Sequence, residues 1–191
     1  MPREGVAPGE IEGGRECKSE PPKLPDGFMW SQSTLDETHL FLSNYYVSND
    51  TFRLTYTRDT LKWAIQDHVA IRKRDTSELV GYISSAPLDV RVEGETRKMV
   101  QINFLCIHPS LRSMRLAPIL IGEIRRRANS LGIWQAMYTG VSRIPTPITK
   151  ANYWHRFLDV KKLIKLGFHE TNRPRENYYE VRGPCKYSWR K

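Results

Sequence analysis

The sequence has few cysteines and no long apolar run. Its three cysteines among 191 residues, Cys17, Cys106 and Cys185, are widely separated. Such spacing suits neither a disulfide framework nor a structural zinc site, so we expect a reducing compartment and no metal centre. No segment approaches the ~20 apolar residues of a membrane span, and the N-terminus has no apolar stretch typical of a secretion signal. The sequence therefore predicts a soluble, cytoplasmic protein.

Runs of like charge are also missing, although the formal net charge is +9, from 30 Lys+Arg against 21 Asp+Glu. An excess of positive charge favours anionic partners such as nucleic acid, an anionic membrane surface or a phosphate-rich cofactor. No five like charges are consecutive, and no zinc spacing, RNP motif or helix-turn-helix pattern is present. A nucleic-acid-binding module is therefore the weakest of these interpretations.

Composition divides the chain into three parts. Residues 1–23 are rich in Gly, Pro, Glu and Arg and almost lack large apolar side chains, which predicts a disordered or loosely draped leader. Residues 24–168 contain the apolar patterning of one folded domain. Residues 169–191 predict a polar C-terminal tail.

Apolar spacing and capping residues predict an α+β fold with a mixed β-sheet. Thr34 and Glu37 have the spacing of a capping box, and Gly132 is a suitable residue just beyond a helix end. Helices are predicted at 34–46, 59–66, 116–131, 153–157 and 159–166. Strands are predicted at 52–56, 69–74, 79–85, 89–93, 98–107, 133–139 and 178–181, of which 98–107 is expected to be the longest.

The most informative segment is 103–118, in which an apolar strand ends in a short loop with two arginines and leads directly into an amphipathic helix. Main-chain N–H groups at a helix start, the helix dipole and two guanidinium groups together suit a pyrophosphate. A strand beside such a loop can hold an acyl thioester. This segment therefore predicts a protein that binds an acyl-CoA.

The same segment, with several others, resembles the N-terminal half of the N-myristoyltransferases. The matching pieces keep their order and spacing over residues 24–168. They are Leu24–Trp30, Asn44–Val47, Phe52–Tyr56, Leu79–Ser84, Lys98–His108, Leu111–Pro118, Tyr153–Arg156 and Lys161–Ile164. The resemblance implies a GNAT-like sheet flanked by helices, with myristoyl-CoA as the acyl donor. It also implies transfer of a 14-carbon acyl group to the N-terminal glycine amine of proteins.

The resemblance further implies roles for individual residues near the strand end. The main-chain N–H groups of Phe104 and Leu105 stabilise the oxyanion that develops as the thioester is attacked. Asn103 and Thr139 match residues that position the amine or a water molecule. The alternative interpretation of these two residues is structural, as a hydrogen-bonded strand edge and a β-branched strand residue.

The arginine-containing loop is implied to hold the CoA phosphates. Its side chains are those of Arg112, Ser113 and Arg115, and the N–H groups of Leu116 and Ala117 add to them. A solvated basic surface is the alternative, but cations at a helix start oppose the macrodipole, and an anionic ligand would remove that conflict.

Substrate binding is implied for Tyr46, Val47 and Phe52, which follow the first predicted helix. In the family an acidic loop at this position recruits basic peptides, and here that loop is shorter and keeps one acid. Met114 also differs from the family, which often has lysine there. Both differences predict weaker electrostatic contacts.

Cys106 and Ile107 continue the donor-binding strand. A cysteine in an apolar strand is more often an inert small hydrophobe than a nucleophile.

In the family, a carboxylate at the end of the second half serves as the base, and we expect that half to be absent here or supplied by another chain. The terminal carboxylate of Lys191 and the imidazole rings of His108 and His155 are weak candidates to replace that base. A non-catalytic acyl-CoA-binding remnant and a GNAT acetyltransferase remain alternative functions.

Overall fold

A five-stranded mixed sheet organises the computed structural model, which describes residues 17–47, 53–92, 94–140 and 158–167. The strands follow chain order across the sheet, the first four antiparallel and the last parallel to its neighbour. They are β1 (Phe28–Ser31), β2 (Asp67–Lys73), β3 (Leu79–Val92), β4 (Glu95–Ile107) and β5 (Ala136–Met137). The predicted α+β fold with a mixed sheet is confirmed.

Helices lie on both faces of the sheet within the larger unit, which takes in every described residue up to 140. Its helices are α1 (Leu35–Tyr45), α2 (Arg58–Ala64), a 3-10 helix (Pro109–Met114) and α3 (Leu116–Ser130). The second unit is described only for 158–167 and contains α4 (Val160–Lys165). The predicted capping box is confirmed, because the Thr34 hydroxyl accepts from the Glu37 N–H at 3.2 Å and the Glu37 carboxylate accepts from the Thr34 N–H at 2.9 Å.

Two apolar clusters occupy the two faces. One packs α3 against β2 and β3, through Val69, Ile71, Val80, Ile83, Ile107, Leu116, Leu120 and Ile124. The other packs α1 and α2 against the opposite face, through Phe41, Leu42, Leu61, Ala70, Tyr82, Phe104 and Cys106. Side chains of a strand alternate between faces, so adjacent apolar residues of β2 serve both clusters.

The structure corrects several of the strand predictions. Segments 79–85 and 89–93 form one strand, the 14-residue β3, which is longer than the 13-residue β4. They merge because β4 pairs with β3 along its length, through Pro87 to the turn at Gly94. β1 was not predicted, since its four residues gain strand structure only by pairing with β2. Residues 54–56 form no strand, and the strand predicted at 133–139 shrinks to two residues.

Residues 17–23, the end of the predicted leader, lie against α3. The Arg126 guanidinium donates to the Ser19 carbonyl at 3.2 Å, and the Trp30 indole donates to the Pro22 carbonyl at 3.1 Å. Pro22 also approaches Gly122 closely, because a Cβ there would lie 3.3 Å from the proline ring. Residues 1–16, Phe52, the helix predicted at 153–157, the strand predicted at 178–181 and the tail after 168 lie outside the described residues.

His68 gives the fold a predicted pH dependence. Its half-buried ring stacks on Tyr82 with centroids 5.6 Å apart, and Nε2 lies 3.1 Å from the Ser33 carbonyl oxygen. Burial lowers the pKa of His68 below its ordinary 6.5. The unfolded chain therefore binds this proton more readily, so stability from His68 is full above that value and is lost as pH falls through the lower folded pKa.

We expect the free energy of unfolding in urea to be smaller at about pH 5.5 than at about pH 7.5. The variant His68→Gln removes the titrating ring and should show a weaker dependence across this interval. An identical pH dependence in both proteins would assign the effect to other groups.

Candidate functional site

A β-bulge interrupts β4 at the residues predicted to form the oxyanion hole. Tyr82 pairs with Cys106 while Ser84 pairs with Asn103, so the single residue Ile83 faces both Phe104 and Leu105. Phe104 has φ +55°, a left-handed conformation that is rare for a bulky residue. A bulge leaves its extra residue outside the regular ladder of hydrogen bonds. Main-chain N–H groups at this point can therefore serve a ligand instead of a neighbouring strand.

From Phe104 onward, the side chains of β4 alternate between the two faces. Phe104 and Cys106 both join the cluster under α1 and α2, whereas Leu105 between them is 37% exposed. Ile107 returns to the α3 face. Asn103, half-buried, precedes the bulge, and its carbonyl accepts from the Ser84 hydroxyl at 3.2 Å. This anchor holds the start of the bulge against β3.

Aromatic residues from the end of α1 and from the segment just before α2 pack around Phe104. The Tyr46 ring lies 5.9 Å from the Phe104 ring, and the Tyr56 ring lies 5.1 Å from it. Burial raises the pKa of Tyr46, although the nearby Phe104 main chain opposes the shift. Val47 is half-buried, and its carbonyl accepts from the Leu54 N–H at 2.8 Å. Two of the three predicted substrate residues thus lie beside or just beyond the bulge.

The arginine-containing loop forms the 3-10 helix and ends at Arg115, which is the N-cap of α3. Arg115 has φ 54° and ψ 33°, and its side chain makes no capping hydrogen bond. The Arg115 side chain therefore leaves the first N–H groups of α3, those of Leu116 and Ala117, without a cap of its own. The side chains of Arg112, Ser113 and Arg115 are all exposed. They surround a helix start that attracts anions.

The loop reaches back to the end of α1. Nη2 of Arg112 donates to the main-chain oxygen of Tyr45 at 3.4 Å, and Tyr45 adjoins Tyr46 at the bulge. The structure therefore brings the bulge, the end of α1 and the arginine-containing loop together at one end of β4. The roles assigned to these residues remain predictions.

β5 lies beside β4 only before the bulge. Its pairing is limited to Val100 with Ala136 and Gln101 with Met137 among the described residues. Thr139 follows β5, is exposed and lies outside any strand. The two parallel strands therefore do not pair where Asn103 and Thr139 would meet, and this leaves room between them at the predicted thioester.

The structure buries the Cys106 side chain, where its thiol is unreactive. It is 4% exposed, and burial raises its pKa to about 12 although Arg112 opposes the shift. A thiolate would be required for nucleophilic attack. We therefore expect mass spectrometry of the protein after incubation with myristoyl-CoA to find no acyl group on Cys106. Iodoacetamide should label the exposed Cys17 in preference, and an acylated Cys106 would contradict this assignment.

Sequence reasoning missed two contributors to the site. Tyr56 packs on Phe104, and Tyr45 accepts from Arg112 and contacts His108 with ring centroids 4.5 Å apart. The aromatic run before Val47 was the available signal. His108, named from the sequence as a weak substitute for the base, has its Nδ1 2.8 Å from the Ser110 hydroxyl, two residues further along the chain.

Other features of the described residues lie away from this site. A cleft of about 650 Å³ is lined by residues 20–30 and Arg74. No group of three or more His, Cys, Asp or Glu side chains in the described ranges could hold a metal ion. Within those ranges, no helix has both the length and the apolar character needed to cross a membrane.

Several known proteins are similar to this chain in both sequence and fold. Glycylpeptide N-tetradecanoyltransferase 1 of Arabidopsis thaliana is 42% identical over 80% of this chain and 39% of its own length. Glycylpeptide N-tetradecanoyltransferase 2 of Danio rerio is 40% identical over 86% of this chain and 37% of its own length. The chain thus spans about two-fifths of the length of these curated relatives.

Solved structures agree. One Saccharomyces cerevisiae N-myristoyltransferase with bound myristoyl-CoA and inhibitors superposes with TM-score 0.80 and 33% identity, over 91% of this chain and 45% of that one. Another, with bound myristoyl-CoA, gives TM-score 0.75 and 34% identity over 81% and 38%. Residues 10–151 match the family described as Myristoyl-CoA:protein N-myristoyltransferase, N-terminal domain. The chain therefore belongs to the N-myristoyltransferase family and contains its N-terminal domain.

Proposed function

We propose that this chain binds myristoyl-CoA and takes part in transfer of its acyl group to the N-terminal glycine amine of proteins. The observation that carries the proposal is the bulge at Phe104, adjoining an arginine-bearing helix start. One element offers N–H groups to a thioester carbonyl, and the other offers cations and N–H groups to a diphosphate. Solved relatives with bound myristoyl-CoA support the choice of donor.

The proposed reaction is a direct acyl transfer. The neutral glycine amine attacks the thioester carbonyl carbon, and the N–H groups of Phe104 and Leu105 stabilise the resulting oxyanion. The C–S bond then breaks, an amide forms, CoA leaves as the thiol, and the amine gives up a proton. An α-amino group has an ordinary pKa of about 7.7–8.0, so a modest base suffices.

The proposed substrate residues follow from their position. Tyr46 and Val47 leave α1 beside the bulge, where an incoming amine would have to pass, and Phe52 is assigned only by resemblance. Asn103 and Thr139 are proposed to position the amine or a water molecule. We further propose that the domain occupies 24–168 between a leader and a polar tail, and that the protein acts in the cytoplasm.

A binding and turnover experiment tests the proposal. The purified chain is titrated with myristoyl-CoA and with acetyl-CoA, and is then offered a glycine-initiated peptide with the same peptide initiated by alanine as control. We expect preferential binding of myristoyl-CoA and acylation of the glycine peptide alone. Binding without turnover would favour a non-catalytic acyl-CoA-binding protein, and preference for acetyl-CoA would contradict the proposed donor.

A further inference from the structure

His108 stands at the junction between β4 and the arginine-containing loop, and it is held there from two sides. Its main-chain N–H donates to the Val80 carbonyl at 2.9 Å, which fastens it to β3. Its half-buried ring meets the Tyr45 ring edge-on, with centroids 4.5 Å apart and planes at 63°. The imidazole therefore bridges the sheet and the last residue of α1.

One ring nitrogen of His108 caps the 3-10 helix. The Ser110 N–H donates to Nδ1 at 3.3 Å, and the Ser110 hydroxyl lies 2.8 Å from the same atom. Nδ1 is thus the side-chain acceptor that caps the first turn of the 3-10 helix. This nitrogen is occupied in shaping the loop and is not free to act as a general base.

Tyr45 links this ring to the phosphate-binding arginine. Its carbonyl accepts from Nη2 of Arg112 at 3.4 Å, at a helix end where carbonyl groups lack partners within the helix and carry partial negative charge. The contact uses one of the five guanidinium N–H groups, so the others remain available to a phosphate. Moving Tyr45 would therefore move the acceptor that orients Arg112.

We propose that His108 is a positioning residue for the donor site: its ring fixes Tyr45, and the Tyr45 carbonyl orients Arg112 toward the diphosphate of the acyl-CoA. The inference rests on the proposed function, since Arg112 meets a diphosphate only if the chain binds an acyl-CoA. It assigns the histidine a task other than proton transfer, and it makes Tyr45 the intermediary.

A double-mutant cycle in myristoyl-CoA affinity tests the link. Calorimetric titrations compare the unmodified protein, His108→Ala, Arg112→Ala and the double variant. We expect His108→Ala to weaken binding about three- to tenfold, as for loss of one aromatic pair. Because the histidine acts through the arginine, the same substitution should have no further effect in the Arg112→Ala background. Full additivity of the two substitutions overturns the inference.

Matched variants separate the ring contact from the cap. His108→Phe keeps an aromatic ring against Tyr45, whereas His108→Asn keeps an acceptor for the Ser110 N–H. Tyr45→Phe and Tyr45→Leu provide the same comparison from the other side, should His108→Ala fail to fold in circular dichroism melts. We expect near-normal affinity in both phenylalanine variants and weakened affinity in His108→Asn and Tyr45→Leu.

Rescue by His108→Asn but not by His108→Phe would overturn the role of Tyr45. If the unmodified protein binds neither myristoyl-CoA nor free CoA, the proposed function fails and the inference fails with it. If the unmodified protein binds but the cycle is additive, the inference alone fails.

Discussion

Replacing Arg112 and Arg115 together with alanine is expected to weaken myristoyl-CoA binding by at least about 100-fold, because each charge-assisted hydrogen bond to a phosphate contributes roughly 1.5–3 kcal/mol. Both side chains are exposed and flank the uncapped start of α3. The loss should appear in calorimetric titration with free CoA as well, since the diphosphate is common to both ligands. It should also shrink at high ionic strength, where salt screens the charges.

The matched control removes the same charge elsewhere. Arg91 on β3 and Arg125 on α3 are exposed, and neither belongs to the loop. The variant with both of them replaced by alanine should bind CoA nearly as the unmodified protein does. Equal weakening in the two double variants would show that net charge, rather than the arginine-containing loop, attracts CoA.

Glu123→Gln is expected to lower the free energy of unfolding by about 3 kcal/mol, with a fall in Tm of roughly 10 °C. Glu123 is 2% exposed and lies 2.7 and 2.8 Å from the Arg126 guanidinium and 2.9 Å from Arg127. Arg127 also contacts Asp67 of β2 at 3.0 Å. Loss of the carboxylate charge leaves two guanidinium groups facing a neutral amide, and it loosens α3 from the sheet.

The ion pairs of Glu123 with Arg126 and Arg127 also predict how the stability of the protein depends on pH. Burial raises the pKa of Glu123, but the hydrogen bonds and charges of Arg126 and Arg127 outweigh it, so the pKa lies below its ordinary 4.5. Its contribution to stability is therefore present above that value and is lost as pH falls through the lower folded pKa. Glu123→Gln should lack this acid-dependent loss.

Urea unfolding tests both predictions by comparing the buried substitution Glu123→Gln with the matched surface substitution Glu95→Gln. Glu95 pairs with Arg97 at 2.8 Å, but 72% of its side chain is exposed, and such surface pairs contribute little. The surface variant should unfold within about 0.5 kcal/mol of the unmodified protein. A buried variant as stable as the surface one would contradict a structural role for the network.

Helix ends were the part of the fold that sequence reasoning predicted well. Thr34 caps its helix through the N–H group three residues later, and Gly132 follows α3 with φ +73°. Each of these signals involves groups within a few residues of one another, so it can be read without knowledge of the fold. Strand limits were predicted less well, because pairing partners rather than local residues decide where a strand continues.

The same distinction applies to the candidate site. The order of an apolar strand, two arginines and a helix was visible in residues 103–118, and with the family resemblance it indicated an acyl-CoA. Nothing in that segment showed that Tyr45 would accept from Arg112, or that the His108 ring would contact α1. Contacts between residues more than sixty positions apart arise only when the elements pack.

The sequence by itself determined the family, the arginine-bearing helix start and the α+β class, since each depends on residue types in a short, ordered pattern. Only the tertiary structure decided the left-handed conformation of Phe104 and the two-to-one pairing opposite Ile83. A register shift is a relation between two strands some twenty residues apart, and the rare backbone conformation is held by the packing of α1 and β3 around it. The residues of the site could therefore be predicted from the sequence, but their geometry could not.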